Sequence, residues 1–209
     1  MRYIRERLSS ENLKKRIIWT FVIFFVIFFG VVILSYYFLP EGLLRNKNPM
    51  QNWDHSGGVL ELSLRIFLYN LLSVFVILPA SLFATKKPNE KNYISAGYTA
   101  FFTLVCINAV VLGTWSFSVE SQAVPLVARI IGSFDLAHRA GLWEMAGQLL
   151  ICCAVAHIAI VKSSGRDTLK RNIRDIRLTS MEKLAFLIGL ILMMIGAVVE
   201  GFAINSQLS

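Results

Sequence analysis

The chain has 209 residues, of which 56% are hydrophobic and only 16% charged, and it carries a net charge of +8. Soluble domains hold about a quarter charged residues, and a soluble fold of this length cannot hide so much apolar surface, so an ordinary soluble enzyme or binding domain is excluded. The positive charge lies between long apolar runs rather than in a stripe with interleaved aromatics, which argues against nucleic acid as a partner and for a lipid bilayer.

In chain order, residues 1–16 are basic and precede an uncharged apolar run over about 17–40. A membrane-crossing helix needs about 20 mostly apolar residues. This run is too long for a signal-peptide core and has no small-residue cleavage site after it, so it reads as an uncleaved first span that Pro40 stops. Residues 41–58 form a polar loop. A second span is predicted over about 64–85, entered through Glu61 and Arg65, and a third over about 95–117. Residues 121–138 place Val124, Val127, Ile131 and Phe134 at helical spacing but are too short to cross, so an interfacial or re-entrant outer helix is expected. A fourth span over about 140–162 contains Glu144, and a fifth over about 184–204 contains Glu200.

Between the last two spans, residues 163–183 put Leu169, Ile173 and Ile176 at similar spacing among basic residues. A basic amphipathic helix is expected there, with Lys162, Arg166, Lys170, Arg171, Arg174 and Arg177 meeting either anionic lipid or a cytoplasmic partner.

Sixteen of the 21 Lys and Arg fall in residues 1–16, in the loop between the second and third spans, and in the loop between the fourth and fifth. Excess Lys and Arg mark the cytoplasmic side. The expected fold is therefore an all-α polytopic membrane bundle, a single domain of about five spans in the cell membrane. Its N-terminus lies inside and its C-terminus outside. Cys106, Cys152 and Cys153 all lie in apolar runs and read as small buried residues rather than a disulfide frame.

Ionisable residues within spans cost at least ~2.5–3.5 kcal/mol each on insertion scales, which makes them candidates for function. Arg65, Glu144 and Glu200 come from three different spans yet share one depth in the outer part of the bilayer. Asn70 and Asn108 lie deeper. Asp135, His138 and Arg139 stand at the mouth of the fourth span, where Asp135 and Arg139, four apart, can pair on one helical face. Two arrangements fit. Arg65 pairs with one or both glutamates and locks the bundle, or the cluster lines an outward polar cavity for a polar or cationic group.

Catalysis lacks a motif: there is no HExxH, GxSxG or Walker A sequence, no catalytic residue is named, and no metal or cofactor is expected. His157 reads as a buried hydrogen-bonding residue. Ala197 and Gly201, with Gly189 and Gly196, form a small-residue face for helix packing.

Four short motifs in order carry a resemblance over nearly the whole chain. They are the first span ending at Phe38-Leu39-Pro40, Phe67-Leu68-Tyr69-Asn70, Asn108-Ala109-Val110-Val111-Leu112-Gly113, and the pair Gly141-Leu142-Trp143-Glu144 and Val199-Glu200-Gly201-Phe202. The chain resembles the wider stage II sporulation protein M-like family of membrane proteins, rather than its sporulation members. It departs from the family pattern where Arg139 and Ala140 separate His138 from Gly141, and where Ala109 replaces a usual Gly. The resemblance points to Asn70, Asn108, Gly141, Glu144 and Glu200. It implies a membrane subunit, without its own ATPase, of an export or bacteriocin-immunity system. The partners it implies are an ABC-type ATPase or permease, a peptide or lipid-like substrate, and further copies of the chain. A scaffold for peptidoglycan-remodelling enzymes and an intramembrane peptide-processing enzyme are the alternatives.

Overall fold

The computed structural model describes residues 2–45, 47, 58–87, 90–117, 122–138 and 140–208. Seven helices are described: α1 (Arg2–Leu8), α2 (Leu13–Phe38), α3 (Val59–Ser81), α4 (Gly97–Gly113), α5 (Leu126–Gly132), α6 (Gly141–Ala154) and α7 (Ser180–Leu208). Asn12 caps α2 by accepting from the Lys15 amide at 3.2 Å, and the helix stops two residues before Pro40. Leu13–Phe38, Val59–Ser81 and Ser180–Ser206 are each long and apolar enough to cross a membrane. Their outer faces carry large apolar side chains such as Val26 (70% exposed) and Leu60 (84% exposed). Water tolerates little contiguous surface of that kind and lipid favours it, so the chain is a helical membrane protein.

The long helices are held around a short one. Helix α6 spans about 21 Å at 1.5 Å per residue, and α4 about 26 Å, so both fall short of a bilayer core of ~30 Å. Yet α6 is buried along most of its length, with Leu149, Ile151, Cys152, Cys153 and Ala154 all at 0% exposure. It packs most extensively on α7 and also contacts α2, α3 and α4. The main core joins Phe24, Phe28 and Val32 of α2 to Tyr98, Phe101 and Val105 of α4 and Leu149 of α6. Helices α2, α3, α4, α6 and α7 alternate in direction, so α1 and the start of α7 lie at one end and the C-terminus of α7 at the other.

Close helix approach depends on glycines on two faces of α7. Gly189 faces Gly147 of α6 so tightly that a Cβ on either would lie 2.5–2.7 Å from the other's carbonyl oxygen. Gly201 instead faces Ser63 of α3, with Ala197 buried beside Leu62 and Ile66.

The structure corrects the all-α expectation. A four-stranded sheet of order β2-β1-β3-β4 sits at the basic end, built from β1 (Phe83–Lys86), β2 (Ile94–Ser95), β3 (Val161–Ser164) and β4 (Asp167–Lys170). Strands β1 and β3 pair in parallel, Phe83 with Val161 through Lys86 with Ser164, and so tie the ends of α3 and α6 together. The expected basic amphipathic helix is thus a hairpin followed by a 3-10 turn over Ile173–Asp175. Gly165, at φ 61°, supplies the left-handed residue that its two-residue loop requires. The expected second and fourth spans both end earlier than predicted: α3 ends at Ser81 with residues 83–85 in β1, and α6 ends at Ala154 with Val161 in β3.

The expected outer helix over 121–138 shrinks to α5, opened after Pro125 and closed at Gly132. Val127 and Ile131 are exposed there, while Phe134 stacks on Phe29 at 5.5 Å. Residue 121 of that stretch lies outside the described residues.

Substituting Gly189→Val drives a side chain into the Gly147 backbone. It is expected to lower stability by about 3 kcal/mol, the upper part of the overpacking range. Gly30→Ala, with open space around its Cβ, leaves the melting temperature of the detergent-solubilised protein unchanged or raised. A thermal melt of both variants checks this.

Candidate functional site

Two acids meet where α3, α6 and α7 cross. Glu144 lies in the first turn of α6, and its Cγ is 2.9 Å from where a Cβ on Gly196 of α7 would stand. Only glycine at 196 leaves room for this approach. Glu200, one turn further along α7, is within electrostatic reach of Glu144. The side-chain amide of Asn70 on α3 donates a hydrogen bond to Glu144 Oε1. One turn deeper on α6, Gln148 is 5% exposed and its Oε1 has no hydrogen-bond donor. Among the described residues no Lys, Arg or His makes an ion pair with either acid. Acceptors gathered without a resident cation suit a cationic or hydrogen-bond-donating group from outside the chain.

Of the other predicted site residues, Arg65, Asn108, Asp135 and His138 do not join this cluster. Arg65 pairs with Glu61, one turn back on its own helix, and both are exposed. The expectation that Arg65 bridges the glutamates is therefore corrected: its helical position turns it away from the α6–α7 crossing. Asn108 is exposed on α4, beside the buried face that carries Val105 and Ala109. Asp135 pairs with His138 at 3.1 Å on the surface; Arg139, the partner expected for it, lies outside the described residues. Among the described residues no group of three His, Cys, Asp or Glu side chains could hold a metal ion. At the basic end, Lys162 lies on β3, Arg166 in the hairpin loop, Lys170 on β4, Arg171 just after it, Arg174 in the 3-10 turn, and Arg177 before α7. Of these, Lys162 and Arg171 are half-buried and the rest are exposed.

Sequence reasoning missed two buried arginines. Arg16, at 0% exposure, donates to Glu182 Oε1 at 2.5 Å, to the Ser10 carbonyl at 2.9 Å and to His157 Nδ1 at 3.0 Å. It thereby joins α2, the start of α7, the segment after α6, and the α1–α2 link. Thr179 and Glu182 form a capping box: the Glu182 amide donates to Thr179 Oγ1 at 3.2 Å, and the Thr179 amide donates to Glu182 Oε2 at 2.9 Å. The Thr179-Ser180-Met181-Glu182 pattern was the readable signal for this site. At the opposite end Arg129 lies between the rings of Tyr36 (4.8 Å) and Trp115 (5.1 Å) and donates to the Gly113 carbonyl at the end of α4. A lone Arg in a short amphipathic stretch gave no sign of this.

Compared with known proteins, the chain matches no protein-family model, no curated protein and no solved structure.

Glu182→Gln leaves the Arg16 charge buried without a carboxylate and is expected to cost about 3–5 kcal/mol. The double variant Arg16→Met, Glu182→Leu is expected to lose much less, because no charge is then left buried; a double-mutant cycle on melting temperature measures both.

A second contact at this end responds to pH. Arg5 donates to Glu90 from Nε (2.6 Å) and Nη2 (2.9 Å), which holds the Glu90 carboxyl below its ordinary value of 4.5 against the opposing effect of desolvation. The Lys87 amide adds a further donor at 3.1 Å. Since the folded value lies below the unfolded one, the docking of α1 is complete above pH 4.5 and is lost as pH falls through the lowered value. Hydrogen exchange of α1, corrected for the intrinsic rate, is expected to rise only below pH 4.5 in the wild type and to be high at all pH values in Glu90→Gln.

Proposed function

We propose that the chain is a membrane subunit of an export or immunity system, acting with an ABC-type ATPase or permease to move or exclude a peptide or lipid-like substrate. The single observation that carries this reading is the Glu144–Asn70 hydrogen bond with Glu200 beside it, set between three packed helices and, among the described residues, without a basic side chain paired to either acid. A cationic or donor group of a substrate is what such a site accommodates. Energy comes from the partner, since the chain has no nucleotide-binding motif.

In this reading the protein crosses the cell membrane five times, with the short α6 buried among the other helices, the N-terminus inside and the C-terminus outside. The alternation of the five helices and the gathering of 16 of the 21 basic residues at one end support that orientation. The acidic site then opens towards the outer half of the bilayer. The exposed hairpin and 3-10 turn, with Leu169 and Ile173 among Arg166, Lys170 and Arg174, supply the inner surface for a partner. The resemblance to the stage II sporulation protein M-like family points the same way through Asn70, Glu144 and Glu200.

Glu144→Gln keeps the carbonyl oxygen that accepts from Asn70, so the bundle assembles as before. Export of, or resistance to, the peptide is expected to fall at least tenfold, while Glu61→Gln on the exposed Arg65 pair leaves it unchanged. Cell survival and peptide release measure this, and wild-type activity in Glu144→Gln would sink the proposal. Co-purification identifies the partner: an ATPase supports export, and a peptidoglycan hydrolase points instead to a scaffold for envelope remodelling.

A further inference from the structure

The sheet and the helix ends at the basic end enclose a second polar space, distinct from the acidic site. It is a cavity of about 280 Å³ between the α1–α2 link, the segment after α6, the β1–β2 loop and β3. Lys91, Lys162 and Arg171 all line it, with Asn92, Tyr93 and His157. Glu11 is the one carboxylate in the lining, so three basic side chains face one acid. Among the described residues no carboxylate makes an ion pair with Lys91, Lys162 or Arg171.

The walls are built rather than incidental. The Arg171 amide donates to the Ile160 carbonyl at 2.8 Å and extends the hairpin ladder, which sets the start of that side chain beside β3. The Asn92 amide side chain donates to the Ser9 carbonyl at 3.3 Å and closes the loop onto the α1–α2 link. Lys162 lies on the Tyr93 ring, its Nζ 5.5 Å from the centroid, and Lys86 lies 5.1 Å from the same ring. Two ammonium groups thus lie against one aromatic ring, and an anion bound beside it would offset their like charge. The cavity sits beside the ends of α3 and α6, where the orientation proposed above puts the inner headgroup region.

We infer that this cavity is a phosphate-binding site, taking the phosphate of an anionic lipid headgroup or of a small soluble phosphate ester. Lysines supply point charges and Arg171 a planar donor fork, the chemistry that recognises a phosphate oxyanion. Asn92 and the Tyr93 hydroxyl add neutral polar groups for the ester or glycerol part. This site is separate from the acidic cluster and shares no lining residue with it.

The test uses the full chain in phosphatidylcholine nanodiscs. In one arm short-chain phosphatidylglycerol is titrated, in the other inorganic phosphate, and binding is read from thermal shift and from native mass spectrometry. Saturable binding in either arm supports the site, and the arm that saturates identifies the source. Lys162→Gln, Arg171→Gln and Lys91→Gln are each expected to weaken that binding about fivefold, the usual effect of one basic residue at a membrane surface. Lys14→Gln removes the same charge from an exposed position outside the cavity and leaves binding unchanged. No saturable binding in either arm overturns the proposal. So does an equal loss in Lys14→Gln, which would reduce the effect to net charge.

Discussion

Everything in the bundle depends on how closely α6 can approach α7. Gly147 and Gly189 meet backbone to backbone, and no larger residue fits at either place. In lipid there is no hydrophobic force to push helices together, so association rests on close van der Waals contact of this kind. The crossing has a chemical consequence two turns along. With the axes drawn together at Gly189, Gly196 comes against the Glu144 stem and Glu200 arrives beside it. The acidic site is therefore a product of helix packing, not an addition to it.

The two ends of the bundle are closed by different means. At the acidic end α5 packs on α2 and α4, and its Arg129, set between two aromatic rings, donates to the carbonyl at the end of α4. At the basic end a buried Arg16–Glu182 pair and a small sheet share the work. The ion pair gathers α2, α7 and the segment after α6 at one point, while β1 and β3 bind the outgoing ends of α3 and α6 side by side. A buried pair adds little net stability over an apolar one, but it penalises any arrangement that separates its members. It therefore selects one helix order.

Residue pattern alone made the apolar helices visible, because a run such as residues 17–40 has no charge and no alternative to a helix in lipid. The sheet was harder to see. Each strand is only two to four residues long, and β1 and β3 are nearly 80 positions apart, so neither shows a period long enough to stand out. The Ser-Ser-Gly-Arg-Asp turn was the local sign, but the spacing of Leu169, Ile173 and Ile176 fitted a helix equally well. Of the predicted polar cluster, Glu144, Glu200 and Asn70 come together, while Arg65 and Asn108 do not. Depth along a span can be counted from the sequence, but the rotation of each helix about its axis cannot.

The sequence by itself determined that the chain lives in a membrane, roughly where its long apolar helices lie, and that two acids fall at similar positions along their spans. These follow from local hydropathy, charge and the stop at Pro40, which need no knowledge of neighbours. Only the tertiary structure decided which side chains meet: Asn70 rather than Arg65 for Glu144, and Glu182 for Arg16 across 166 positions. The reason is geometric, since such contacts depend on the axial rotation and spacing of packed helices, and those are set by glycine contacts between segments distant in the chain.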